Sequence, residues 1–183
     1  DAALVTPNTL KVLKVADDAA FTTNVDYVPL DPISITDSAG NTENVYSANY
    51  NFNGTKYFTY TEINGIFWNG ATTNAADRWK GGNSSTITGG PSDATADKDK
   101  VMVIDSEGTS NHATIAENTI VECVWIKANS KLMVASANYL EFDENFILDG
   151  ELRLIGDGQL IQTHTGLSNV QGNGKLYKDQ ASK

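Results

Sequence analysis

Along most of the chain apolar and polar residues alternate over short runs, and Gly, Asn, Asp, Ser or Thr interrupts each run before it lengthens. Period-two runs of this kind predict β-strands, and apolar spacing of the helical kind is hard to find. "LKVLKVA" alternates, "ISITDSAGNTENVYS" places a turn at Asp37 to Asn41, and "YNFNGTKYFTYT" centres Asn53-Gly54 between two aromatic-rich strands. Asn-Gly is a strong hairpin signal, because both residues accept the positive φ of a type I′ turn. Residues 1–62 are therefore expected to form an antiparallel β-sandwich portion.

The last third repeats a phrase: a Leu-x-aliphatic triplet, a turn with Asn, Asp or Gly, and the triplet again. Leu132 and Val134, Leu152 and Leu154, then Leu176 fall at equivalent places, with intervals of 20 (152 − 132) and 24 (176 − 152). A second series joins Val124 and Ile126, Leu140 and Phe142, then Leu160. Strand and turn recurring at such a period predict a solenoid, in which each coil buries its apolar row against the next. The flanking residues of each triplet point inward; the middle ones, Trp125, Met133, Glu141 and Arg153, point outward.

The expected fold class is thus all-β: an N-terminal antiparallel β-sandwich portion followed by a parallel right-handed β-helix over residues 101–183. Between them, residues 63–100 are polar and rich in Gly, Asn and Asp, too poor in apolar side chains for a core of their own. Trp68 and Trp79 are expected to anchor this segment as a cap, each large ring offsetting part of the entropy of ordering a long loop.

Charge narrows the partners. With 23 acidic against 13 basic residues the net charge is -10, which argues against a nucleic-acid partner, since that requires a concentrated basic face. No apolar run approaches the roughly 18 residues of a membrane span, so membrane insertion is not expected. The first residues, "DAALVTPNTL", lack both a Met and the basic-then-apolar start of a signal peptide, and read as the start of a mature or excised segment. The single cysteine, Cys123, excludes an internal disulfide framework and reads as a small buried apolar residue.

"IFWNGATTNAADRWKGG", "KVMVIDSEGTSNHATIAENTIVECVWIKANSKLMV" and "FILDGELRLIGDGQLIQ" together resemble the β-helical modules of large secreted and cell-surface proteins of the Bacteroidota. Trp68, Gly70, Trp79, Pro91, Val101 and Val103 fit the opening of such modules, and Val124, Ile126, Leu132 and Val134 fit their first coil. The ending "VQGNGKLYKDQ" fits as well, so the resemblance covers about residues 66 to 183. It implies a secreted or cell-surface location, type IX secretion cargo, and a chain that continues into further domains. Its implied partners are those further domains of the same polypeptide, the secretion machinery, other surface proteins or glycans.

Chemistry-bearing residues are sparse. His112 and His164 form no chelating pair, and no G-x-S-x-G, P-loop or nucleotide fingerprint is present, "GNGK" at Gly172 to Lys175 having the wrong spacing. Glu141 and Asp143 lie two apart on one strand, with Glu122, Glu151 and Arg153 nearby. Two carboxyls roughly 5 to 9.5 Å apart suit sugar hydrolysis, yet any two residues so spaced meet that distance, and a solvated face is the plainer reading. Asp93, Asp97, Asp99 and Asp105 offer hard oxygens for a calcium loop, the only cofactor the sequence suggests. Outward Trp125 and Met133 mark a contact surface, unless the cap or the N-terminal sheet covers them. "DSA" at Asp37 to Ala39 resembles an O-glycan acceptor of the same bacterial group, with Ser38 as the modified residue. These residues point to a non-enzymatic structural or adhesive segment of a large exported cell-surface protein. The alternative is a fragment of a β-helix polysaccharide-processing enzyme, or a carbohydrate-binding module.

Overall fold

Leu10, Val12 and Val15 alternate along "TLKVLKVA" and are buried, which makes Thr9–Ala16 the first strand, β1. The computed structural model describes residues 9–48, 50, 52–106, 108–163 and 170–179, so the first eight residues and His164 lie outside it. The chain forms two units, Asp1–Ile63 and Asn64–Lys183.

In the first unit β1 runs antiparallel to β2 (Asp26–Pro29), Val12 opposite Pro29. β3 (Asp31–Thr36) and β4 (Thr42–Ser47) form a hairpin closed at the expected turn. There the Asp37 carboxylate accepts the N–H groups of Ala39 and Asn41, and Gly40 takes φ +86°. The hairpin expected at Asn53-Gly54 is not formed. Gly54 has φ +75° but Asn53 is not left-handed, so the type I′ turn is missing, and the described residues just before it are not strand. β5 (Tyr57–Asn69) begins in this unit and ends in the second.

The second unit is a β-solenoid with three parallel faces. After β6 (Trp79–Lys80) and one helical turn, α1 (Thr95–Lys98), three coils follow. They are β7 (Val101–Asp105), β8 (Ala113–Ile115) and β9 (Thr119–Val121); then β10 (Cys123–Ile126), β11 (Lys131–Val134) and β12 (Tyr139–Phe142); then β13 (Phe146–Leu148), β14 (Glu151–Leu154) and β15 (Gln159–Gln162). β16 (Val170–Gln171) and β17 (Lys175–Lys178) begin a fourth. The first face stacks residues 65–69 of β5, then β7, β10, β13 and β16; the second stacks β8, β11, β14 and β17; the third stacks β9, β12 and β15.

Register follows the sequence phrase. Ala113, Leu132, Leu152 and Leu176 stand in one inward column, and Ile115, Val134 and Leu154 in the next. The second expected series mixes two faces: Leu140 stacks between Thr119 and Leu160, whereas Val124 stacks between Met102 and Phe146. The reason is that one coil carries three strands, so neighbouring strands in the sequence turn a corner instead of stacking. Phe142 and Phe146 meet at such a corner, ring centroids 5.0 Å apart. Leu132, Leu140 and Leu152 are all 0% exposed, and burial of each contributes about 1.5–3 kcal/mol.

The segment expected as a cap belongs to this unit. Trp68 pairs with Trp79 across the antiparallel β5–β6 ladder, their rings edge to face at 5.1 Å, and both join the solenoid core.

Replacing Leu152 with Asp places an unpaired carboxylate between coils and should unfold the second unit. Arg153→Ala removes only an exposed ion pair to Asp179 and should cost about 0.5–1 kcal/mol. Thermal melts of the two variants test the inside–outside assignment; the reverse ranking would overturn it.

Candidate functional site

One corner of the solenoid is built from a repeated phrase: Asn129-Ser130-Lys131-Leu132, Asp149-Gly150-Glu151-Leu152 and Asn173-Gly174-Lys175-Leu176. In-register pairing puts each phrase above the last, so Glu151 stands between Lys131 and Lys175. Turn length differs between coils. Residues 127–130 join β10 to β11 where only Asp149 and Gly150 join β13 to β14, while the offset to the fourth coil stays at 24 on both faces, so Asn173 and Gly174 match Asp149 and Gly150. The turn of the third coil is two residues shorter than that of the second, and a groove of about 300 Å³ opens beside it. Gly150 lets the tight corner form, since a Cβ would come 2.3 Å from the Ser130 carbonyl oxygen and 2.4 Å from that of Lys127.

The groove wall is polar. Lys131 pairs with Glu151 at 3.1 Å, a contact exposed enough to contribute about 0–1 kcal/mol. Asp149 accepts the indole N–H of Trp125 at 3.2 Å. Lys175 makes no ion pair among the described residues, and His112 lines the groove with a buried Nδ1 that has no hydrogen-bond partner there. Nothing in composition flags this corner; the threefold phrase and its alternation of Lys, Glu and Lys is the signal that locates it.

Trp125 is not the exposed contact residue that a free solenoid would show. Its neighbours Val124 and Ile126 point into the core, so Trp125 faces outward, but it is only 8% exposed. It stands in register between Val103 and Ile147, with the Lys127 ammonium 5.3 Å from its ring centroid. Lys127 in turn pairs with Asp105 at 2.9 Å. Met133 is half-buried in an outward column with Thr114, Arg153 and Tyr177.

The four aspartates of the expected calcium loop are not gathered. Asp97 is fully buried and its carboxylate accepts hydrogen bonds from the backbone and side chain of both Asn83 and Ser92. Lys100 sits 2.9 Å away and also donates to the Gly81 carbonyl, so a cation already balances Asp97. Asp105 is held by Lys127, Asp93 and Asp99 are exposed, and among the described residues no three His, Cys, Asp or Glu side chains gather to hold a metal. Burial alone would raise the Asp97 carboxyl, but the hydrogen bonds from Asn83, Lys100 and Ser92 outweigh it and hold it below the ordinary range. The aspartate is a lock that fastens the Trp-anchored segment.

Glu141 and Asp143 lie on and just after the third-face strand β12. Glu141 stands in register between Ile120 and Ile161, and Asp143 accepts the Thr163 hydroxyl at 3.0 Å. Cys123 is buried opposite Val101. Ser38 is exposed in the β3–β4 turn.

A lowered folded pKa stabilises above the ordinary carboxylate range, near 3.9, and that contribution is lost as pH falls through the folded value. Asp97→Asn should therefore cost about 3 kcal/mol in urea unfolding at neutral pH, leaving Lys100 without its carboxylate, and the deficit should shrink on acidification below about pH 4. A deficit that grows in acid would overturn the lock. At the corner, Gly150→Ala should cost about 1–3 kcal/mol by overpacking. Gly40→Ala, where a Cβ meets nothing within 4 Å, should cost only the strain of its positive φ, about 1 kcal/mol. The same unfolding measurement compares them.

No family model matches the chain, and no curated protein or solved structure matches it.

Proposed function

We propose that the chain is a non-enzymatic structural and adhesive segment of an exported cell-surface protein, a solenoid that spaces and displays contact surfaces. The observation that carries this reading is where the outward charges go. Lys131 with Glu151, Arg153 with Asp179 and Lys127 with Asp105 each pair along the coil stack, linking one rung to another, instead of converging on a reacting centre. Stacked coils make outward positions independent of the core, so display surfaces change without refolding the scaffold. Ser38, held out in a turn whose Asp37 carboxyl is kept below its ordinary range by the Asn41 amide, suits glycan attachment on an exported chain. Type IX secretion supplies the route in this reading, with further domains of the same polypeptide, other surface proteins or glycans as partners.

Antibody labelling of intact and lysed cells of the source organism tests the location: labelling of intact cells is expected, and labelling only after lysis would overturn the reading. Incubation of the chain with neutral and acidic polysaccharides tests the chemistry. No cleavage is expected; cleavage lost in the Glu141→Ala/Asp143→Ala double variant would establish the enzyme instead.

A further inference from the structure

We propose that the corner groove beside Asp149 and Gly150 is a binding site for a short, neutral, hydroxyl-rich ligand, an extended saccharide lying along the coil axis. The inference rests on the display reading and names what one displayed surface takes.

Three features carry it. First, the groove is made by the repeat itself. Asn129, Asp149 and Asn173 occupy the same place in successive phrases, and rungs about 4.8 Å apart spread the three side chains over about 10 Å along the axis. A linear ligand meets the same kind of group at each rung. Second, the charges cancel inside the groove. Lys131 is neutralised by Glu151, and one further acid, Asp149, stands with one further base, Lys175. A polyanion gains nothing from that balance, although its ends would find isolated partners. Third, the wall supplies donors and acceptors together: amides of Asn129 and Asn173, the Lys175 ammonium, the Asp149 carboxylate and His112. Every lining side chain is polar or glycine, so an apolar ligand has no surface to cover. Hydroxyl groups, which donate and accept at once, satisfy such a wall. The volume of about 300 Å³ is at the lower end for small-molecule sites, and its open side suits a chain that extends beyond it.

The test is NMR titration of the whole 183-residue chain with cellotetraose, xylotetraose, mannotetraose and tetragalacturonate. At least one neutral oligosaccharide is expected to shift the amide signals of Asn129, Gly150, Asn173 and Gly174, with Kd near roughly 1 mM. Asn173→Ala and Lys175→Ala, both exposed positions, should each weaken binding about tenfold while the thermal melt stays unchanged. The site is overturned if no saccharide shifts these signals, if both variants bind as the parent does, or if tetragalacturonate binds best. Cleavage of a bound oligosaccharide would leave the site standing and overturn the non-enzymatic reading, so the two fail separately.

Discussion

A single coil of this solenoid cannot bury its own apolar row. Leu132 is covered because Ala113 lies beneath it and Leu152 above, each offset by one in-register parallel pairing. Everything else follows from keeping that register. The triplets must present apolar residues at both flanks, the corners must return the chain to the same height, and differences in loop length must be expelled to the outside. Between the first and second faces, seven positions separate β7 from β8 where two, Asp149 and Gly150, separate β13 from β14, and Thr109 and Asn111 of the longer connection bond the Gly70 carbonyl.

Polar residues are used to hold what the apolar columns cannot reach. Ser106 donates its N–H to the Ser130 hydroxyl one coil away, so a corner that lacks side-chain packing is tied by hydrogen bonds. Asp97 does this on a larger scale, its buried carboxylate gathering buried Ser92, partly buried Lys100 and exposed Asn83 into one cluster. A loop so rich in Gly and Ser stays ordered because two tryptophans anchor one side and a neutralised carboxylate fastens the other.

How much of this the sequence showed depends on the range of the interaction. The Leu132–Leu152–Leu176 column was legible because a strict repeat is a local signal reproduced at fixed intervals. Assigning Val124 and Leu140 to one column failed, because spacing of apolar residues does not say where a coil turns its corners. The Asn53-Gly54 hairpin failed for another reason: turn propensity is weak beside strand pairing, and β4 is already paired with β3. Outward orientation of Trp125 was readable from alternation, and cover by the cap or the N-terminal sheet was expected as one reading, but its contacts with Asp149 and Lys127 were not readable, since they form only once coils stack. The corner groove escaped for the same reason. Its walls come from three phrases 20 and 24 residues apart (151 − 131 and 175 − 151), which only in-register stacking brings side by side.

Parallel pairing in this solenoid directs its backbone hydrogen bonds along the coil axis, Glu151 to Ser130 and Lys175 to Gly150 among them. Tension applied along that axis therefore loads one rung's bonds at a time, as in opening a zipper, and not the whole ladder in shear. Such a stack yields coil by coil under pull while resisting compression, where rung presses on rung through close-packed side chains. The Lys131–Glu151 and Arg153–Asp179 ion pairs cross from rung to rung, so separating those rungs breaks them as well.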